Sequence, residues 1–320
     1  MRQLASAAGT AEQSSSLVQW QSQATDALGV GDAVLHSAAS VEIAVIDTGA
    51  DVAAPTLAAK RPLTYNAVTR TTNVTDTNGH GTLVASIAAG AADASGVAGA
   101  GGDARLLIVK ASTASGDIST RAETAAIRYA VTHGARIINL SFAGPTTSAA
   151  ERAAITFAIK RGALVIAAAG NAHDQGNPVE YPAALLQPVG SSGRGGAGLV
   201  VGASDVDGKR APFSASGSWL SLAAPGVSIA GALSSAVPVS AFPRLASATT
   251  GLFGYGSGTS FAAPQVAGAA ALVWGVNPRL TATQVARILE QTASGRGAWT
   301  PDLGYGVIDV AAAVALAAQA

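Results

Sequence analysis

Short apolar runs alternate along the chain with segments in which apolar residues recur every three or four positions. The runs are rich in Val, Ile and Leu and are bounded by Gly or polar residues, a pattern that predicts buried β-strands. They cover residues 41–47, 105–110, 136–141, 163–169 and 199–203. Strands that alternate with helices are typical of a parallel sheet with helices on both faces. The sequence therefore predicts an α/β fold, a single domain built on a mainly parallel twisted sheet.

The predicted helices begin at polar residues that can cap them. Three pairs have the capping-box spacing, in which the first side chain accepts a bond from the N–H group three residues later. These pairs are Thr120 with Glu123, Ser148 with Glu151, and Thr281 with Gln284. Further helices are predicted from His80 to Ala89, from Ser260 to about Trp274 and after Ile308. The helix that begins at His80 is apolar on most faces, so we expect it to be buried.

The N-terminal segment differs from the rest of the chain. It is rich in Ser, Gln and Ala, which predicts a flexible arm over residues 1–25 and a domain over residues 26–320. The Thr-rich polar stretch 64–78 predicts a loop. The uncharged stretch 211–243 and the apolar run 261–276 are interrupted by Gly, Pro or Ser, so no membrane-spanning helix is predicted.

Composition narrows the function classes. The chain has 19 basic and 19 acidic side chains, so a long-range charge field that would attract nucleic acid is not expected. It has no cysteine, which excludes disulfides, a thiol nucleophile and a thiolate metal site. Neither the phosphate-binding G-x-x-x-x-G-K-[ST] sequence nor the G-x-S-x-G elbow occurs. We expect a monomer with no nucleic-acid or membrane partner.

Four polar residues stand where predicted elements begin or end. Asp47 closes the first strand, and His80 opens a helix between two glycines. Asn171 follows a strand and Gly170, and Ser260 follows a glycine-rich bend. Each is by itself a common turn or cap residue. The carboxyl ends of parallel strands share one edge, where ligands bind, and Asp, His, Ser is one of three chain orders of the hydrolytic triad.

These residue types suit nucleophilic catalysis on a carbonyl. A serine hydroxyl attacks poorly unless a base takes its proton, and a carboxylate that holds an imidazole in one tautomer supplies that base. Ser260, His80 and Asp47 fit these roles. The Ser260 N–H group and the Asn171 amide would donate to the developing oxyanion.

Four motifs resemble those of the subtilases, the subtilisin-like serine proteases. They are Asp47-Thr48-Gly49, His80-Gly81-Thr82, Ala168-Ala169-Gly170-Asn171 and Gly258-Thr259-Ser260-Phe261-Ala262-Ala263-Pro264. The resemblance extends from about residue 27 to about residue 313 and implies a serine endopeptidase acting on proteins or peptides. Two alternatives are a peptide-binding module that does not cleave and an esterase for small acyl groups.

The resemblance also implies substrate-binding residues. Backbone that pairs with an extended substrate corresponds to Ser141, Phe142, Ala143 and Gly144, to Ser112 and Ala114 on a second stretch, and to Ala169 and Gly170. Phe142 is either an apolar subsite wall or a core residue. Glu180 falls at the floor of the primary specificity pocket, where it would favour Lys or Arg before the scissile bond. The alternative is that Glu180 turns to solvent and leaves an apolar preference.

The chain departs from common subtilase choices at two informative positions. Phe261 stands where many relatives carry an oxidisable Met, which predicts activity that survives peroxide. Thr56 replaces an Asp of the family's strong calcium site, and residues 93–96 are poor in ligands. We therefore expect no required cofactor or metal, with calcium possible at a degraded site. The chain lacks the usual signal and pro-region, so we expect a mature extracellular form; the alternative is a cytoplasmic one.

Overall fold

A seven-stranded sheet in which every neighbouring pair is parallel forms the centre of the computed structural model. The structure describes residues 19–92, 97–238, 241–245 and 252–320. The strand order is β2-β3-β1-β4-β5-β6-β7, and β8 pairs with β9 as a separate antiparallel hairpin. The strands are β1 Glu42–Asp47, β2 Leu63–Asn66, β3 Arg105–Lys110, β4 Ile137–Leu140, β5 Leu164–Ala168, β6 Gly198–Ser204, β7 Leu222–Pro225, β8 Ile229–Ala232 and β9 Phe253–Gly256.

Helices cover both faces of this sheet. Alternate side chains of β1 point to opposite sides: Ile43 and Val45 join the core cluster that contains α4 and α8, whereas Ala44 and Ile46 join the cluster that contains α5 and α6. The predicted α/β fold is therefore confirmed. The helices are α1 Trp20–Ala24, α2 Asp32–Ser37, α3 Pro55–Ala58, α4 His80–Ala89, α5 Thr120–Thr132, α6 Ala149–Lys160, α7 Ala183–Leu186, α8 Thr259–Val276, α9 Ala282–Thr292 and α10 Val310–Ala317.

The longest helix, α8, passes through the core. With 18 residues, the helix is long and apolar enough to cross a membrane. However, 89% of these residues are buried inside the protein, as expected for the core helix of a globular domain. It packs against α4 and against the strands β1, β4, β5, β6 and β7. The first turn of α8, which begins at Thr259, is therefore fixed by packing against α4 and the central sheet.

Several predicted boundaries need correction. Residues 19–25 of the predicted arm are held against the domain, because the Trp20 indole donates to the Val227 carbonyl (3.0 Å) and the Gln21 amide to the Ala230 carbonyl (3.3 Å). Residues 1–18 lie outside the described residues. The predicted loop 64–78 begins within strand β2, which was missed, as were β7, β8 and β9.

The capping predictions have mixed outcomes. The cap of α5 is Ser119, whose hydroxyl accepts from the Ala122 N–H group, so Thr120 is the first helical residue rather than the cap. Ser148 caps α6 as predicted. Thr281 and Gln284 form both bonds of a capping box at α9.

Candidate active site

The carboxyl ends of three adjacent strands meet at one edge of the sheet. Asp47 is the last residue of β1, Ser141 follows β4, and Asn171 lies three residues after β5 ends. Two helices begin at the same edge, α4 at His80 and α8 at Thr259, next to Ser260. The topology thus gathers the four candidate catalytic residues and Ser141 on one rim.

Asp47 and His80 form a buried hydrogen-bonded pair. The His80 Nδ1 and Asp47 Oδ1 atoms lie 2.8 Å apart, and the two side chains are 2% and 0% exposed. The Thr48 N–H group also donates to Asp47 Oδ1, at 2.7 Å. A carboxylate at Nδ1 fixes the proton there and leaves Nε2 as an acceptor. Nε2 is buried and has no hydrogen-bond partner among the described residues.

Ser260 and Ser141 exchange two hydrogen bonds. The Ser260 hydroxyl donates to the Ser141 carbonyl (2.9 Å), and the Ser141 hydroxyl donates to the Ser260 carbonyl (2.8 Å). The Ser260 carbonyl is free for this bond because Pro264, four residues later in α8, has no N–H group. The Phe261 and His80 ring centroids lie 5.2 Å apart, so the first turn of α8, which also carries Ser260, packs against the imidazole.

Asn171 is oriented by the start of α8. Its Oδ1 atom accepts from the Thr259 N–H group (2.8 Å) and from the Thr259 hydroxyl (3.1 Å), and that hydroxyl accepts from the Gly170 N–H group (3.2 Å). These bonds to Oδ1 fix the orientation of the side-chain amide and therefore the side on which its Nδ2 donors lie. The Ser260 N–H group lies in the first turn of α8, where no intrahelical carbonyl can accept it. The start of α8 therefore both presents the Ser260 N–H group and fixes the Asn171 amide.

A second buried carboxylate, Asp76, links the two turns that carry Asp47 and His80. It is fully buried and accepts five hydrogen bonds, which tie the turn after Asp47 to the turn that carries His80. The donors are the Thr48 hydroxyl (2.9 Å), the N–H groups of Asn78 (3.1 Å) and Gly79 (2.8 Å), and the N–H (2.8 Å) and hydroxyl (2.6 Å) of Thr82. Sequence reasoning missed Asp76; its position four residues before His80 in a polar loop was the available signal.

A half-buried cation, Lys110, lies near the carboxylates of Asp47 and Asp76. Its ammonium donates to the carbonyls of Thr48 (2.6 Å) and Thr75 (2.9 Å). Burial lowers the pKa of Lys110, whereas the charges of Asp76 and Asp47 raise it. The ammonium thus offsets part of the negative charge that the site buries.

Described residues between β8 and β9 pack against the turn that carries His80. The Ser234 hydroxyl donates to the Asp76 carbonyl (2.7 Å), and Ser235 donates twice to the Asp51 carboxylate (2.9 and 2.6 Å). Gly79 adopts φ +93°, and a Cβ atom there would lie 2.9 Å from the Phe242 ring. The turn before His80 is therefore closely packed and admits no side chain.

Glu180 points towards the catalytic rim. An added Cβ atom on Gly170 would lie 1.8 Å from Glu180 Oε2, so the carboxyl group lies directly against the residue before Asn171. Oε2 is buried and has no hydrogen-bond partner among the described residues. Burial raises the pKa of Glu180. The sequence alternative in which this side chain turns to solvent does not match this geometry.

The remaining substrate-binding candidates divide into two groups. Ala114 is exposed and Ala143 is half-buried, so a substrate can reach both residues from solvent. The Gly144 N–H and carbonyl groups are both bonded to Tyr181, Ser112 bridges to Ile118, and Ala169 is buried and donates to Val201. Phe142 is 1% exposed within the core cluster of α5 and α6, so its ring is a core residue and not a subsite wall.

The loss of the family's strong calcium site stays a prediction. Thr56 is buried in α3, and its hydroxyl has no hydrogen-bond partner among the described residues. Within the part of the chain that the structure describes, no group of three or more His, Cys, Asp or Glu residues is placed to hold a metal ion. Residues 93–96 lie outside the described part.

The family model of the subtilases matches residues 38–306. The chain belongs to the subtilase family. It is 35% identical to subtilisin DY of Bacillus licheniformis over 280 residues, which cover 87% of this chain and 92% of subtilisin DY. It is 34% identical to subtilisin E of Bacillus subtilis (strain 168) over 286 residues, which cover 87% of this chain and 66% of subtilisin E.

A solved structure has the same architecture. Fervidolysin from Fervidobacterium pennivorans, a keratinolytic enzyme related to subtilisin, matches this subtilase with a TM-score of 0.74 at 26% identity. The match covers 93% of this chain and 45% of fervidolysin. This subtilase is a serine endopeptidase that hydrolyses peptide bonds in protein or peptide substrates.

Proposed function

We propose that Ser260 is the nucleophile, His80 the general base and Asp47 the residue that orients the imidazole. The observation that carries this assignment is the buried Asp47–His80 bond, which leaves Nε2 as the acceptor beside α8. The Ser260 hydroxyl donates to Ser141 in the free enzyme, so rotation about its Cα–Cβ bond precedes proton transfer to His80. Catalytic hydrogen bonds are often completed only when substrate is bound.

The oxyanion site follows from the same arrangement. The Ser260 N–H group and the Asn171 Nδ2 donors would bind the carbonyl oxygen as it gains charge. Thr259 holds Oδ1 of Asn171, so the amide is oriented before substrate arrives and little reorganisation accompanies the reaction. His80 then returns its proton to the leaving amine, and water repeats the sequence on the acyl-enzyme.

Substrate preference is the finer part of the proposal. Glu180 Oε2 is buried against Gly170 and has no hydrogen-bond partner among the described residues, which supports a pocket that prefers Lys or Arg before the scissile bond. A cation there would meet a carboxylate oxygen that none of the described residues satisfies, whereas an apolar side chain would leave that oxygen unsatisfied. We also propose that the enzyme acts as a monomer. We further propose that it needs no metal ion, so its activity should not change after treatment with a calcium chelator.

The test compares the wild-type enzyme with the Ser260→Ala variant on an unstructured protein, with every cut mapped by mass spectrometry. Cuts made by the wild-type enzyme alone, mainly after Lys or Arg, are expected. Cuts that persist in Ser260→Ala would refute the nucleophile assignment. Cuts only after Leu or aromatic residues would refute the role of Glu180 and leave the triad intact.

A further inference from the structure

A cavity of about 430 Å³ opens at the edge of the sheet opposite the catalytic rim. Leu164 and Gly198, the first residues of β5 and β6, form its base. The glycine-rich segment 193–198 forms one wall and α9 forms another. Its volume falls in the range of small-molecule sites. The proposed triad lies at the carboxyl edge of the sheet, whereas this cavity lies at the amino ends of β5 and β6, so the two sites are separate.

Charged side chains converge on this cavity without pairing with one another. Arg194 comes from the glycine-rich wall, and Arg287 and Glu290 come from α9. Within the described chain, neither guanidinium forms an ion pair or hydrogen bond with Glu290, although both are close enough to affect its charge. The Arg194 guanidinium lies over the Tyr305 ring, 5.1 Å from its centroid. Arg194 and Arg287 are exposed, whereas Glu290 is half-buried.

The cavity is biased towards positive charge. Burial raises the pKa of Glu290 to about 7, and the charges of Arg194 and Arg287 lower it only in part. The titratable or charged groups that line the cavity are these three residues and Tyr305. Below neutral pH, the cavity therefore presents two guanidinium groups and a neutral carboxylic acid, which is itself a hydrogen-bond donor.

We propose that this cavity binds a small oxyanion, a carboxylate or a phosphate, between Arg194 and Arg287. Planar guanidinium groups match both kinds of oxyanion and bind them through paired hydrogen bonds. The protonated Glu290 carboxyl would donate a further bond to the same ligand. When Glu290 ionises, its negative charge opposes the ligand, so binding should weaken as the pH rises through neutrality.

The test is calorimetric titration of the 320-residue chain carrying Ser260→Ala. On the proposed function this variant cannot digest itself, and the measurement does not depend on activity. Succinate and inorganic phosphate are titrated separately at pH 6, with chloride at matched ionic strength as the control. Binding of succinate, of phosphate or of both supports the proposal and identifies the ligand class. Heat no larger than that of chloride for both would overturn it.

Exposed-site variants locate the binding. Arg194→Gln and Arg287→Gln should each weaken binding at least tenfold, because each removes one guanidinium from the cavity. Arg296→Gln, which changes an exposed arginine that does not line the cavity, serves as the matched control. Equal affinity in all three variants would refute the site.

The Glu290→Gln variant tests the pH dependence. A group with a pKa of about 7 is about 90% protonated at pH 6 and about 10% protonated at pH 8, so affinity that requires the neutral form falls about ninefold. The affinity of the Glu290→Gln variant should show no ninefold fall between pH 6 and pH 8. Any change that it does show comes from titration of the ligand and is subtracted from the change in the parent protein. An identical pH profile in both proteins would refute the role of Glu290.

Discussion

The Glu180→Gln substitution should remove most of the preference for basic residues before the scissile bond. An ammonium about 4 Å from the carboxylate gains about 4 kcal/mol at an effective dielectric constant of about 20. Desolvation of both charges reduces this gain, and measured couplings for close pairs begin at about 1.5 kcal/mol. A net 1.5 to 3 kcal/mol corresponds to about a 10- to 100-fold change in the ratio of kcat/KM for Lys over Leu.

The assay uses internally quenched peptides that differ only in the residue before the cut, with Lys, Arg, Gln, Leu and Phe compared for each variant. The ratio of two substrates cancels effects on His80 and on enzyme concentration. Glu42→Gln is the matched control, because burial also raises the pKa of Glu42, which lies at the start of β1 and away from the rim. A Lys/Leu ratio that stays within twofold of wild type in Glu180→Gln would refute the reasoning.

The same ratio should depend on pH. Because burial raises the pKa of Glu180, the carboxyl group is neutral over a wider acidic range than an exposed glutamate. Attraction for Lys is therefore lost as the pH falls through the raised pKa and regained as the pH rises through it. Glu180→Gln should give a ratio that does not change over the same range.

Three further predictions concern other parts of the molecule. Asp76→Asn should lower the free energy of unfolding by about 3 kcal/mol and reduce kcat/KM more than tenfold, because buried donors lose their acceptor; unchanged urea unfolding would contradict this. Phe261→Met should make the enzyme sensitive to peroxide, whereas the wild type should retain activity under the same treatment, as residual-activity assays would show; rapid loss in the wild type would be the opposite result. Thr281→Ala should cost about 1 kcal/mol in denaturant unfolding with unchanged kcat/KM, since it removes only the α9 capping box; no loss of stability would argue against the cap.

Local patterns predicted the elements whose signals lie within the element itself. The strand from Arg105 to Lys110 and the helix from His80 to Ala89 have the predicted bounds, because an apolar run between turn residues specifies both identity and length. Strands β7 and β9 were missed because their sequences, LAAP and FGYG, lack the run of Val, Ile or Leu that marks the predicted strands, and pairing with other segments stabilises them.

The side-chain contacts of the site depended on tertiary packing that no local pattern reports. The positions of Asp47, His80, Asn171 and Ser260 at element ends could be predicted from strand and helix boundaries. The five bonds to Asp76 come from two separate turns. A single-residue pattern likewise cannot give the direction of a side chain such as Glu180, because the approach of Gly170 fixes it.

Helix α8 is a central part of the core and also carries Ser260, so the fold and the active site are completed together when this helix docks. Every described strand precedes it in the chain, and its contacts with β1, β4, β5, β6 and β7 on one face of the central sheet are missing until it docks. On the proposed assignment, a nascent or partly unfolded chain therefore contains Asp47 and His80 without a positioned Ser260. Incompletely folded copies should consequently be unable to digest their neighbours during synthesis, and in this molecule a loss of global stability is also a loss of proteolysis.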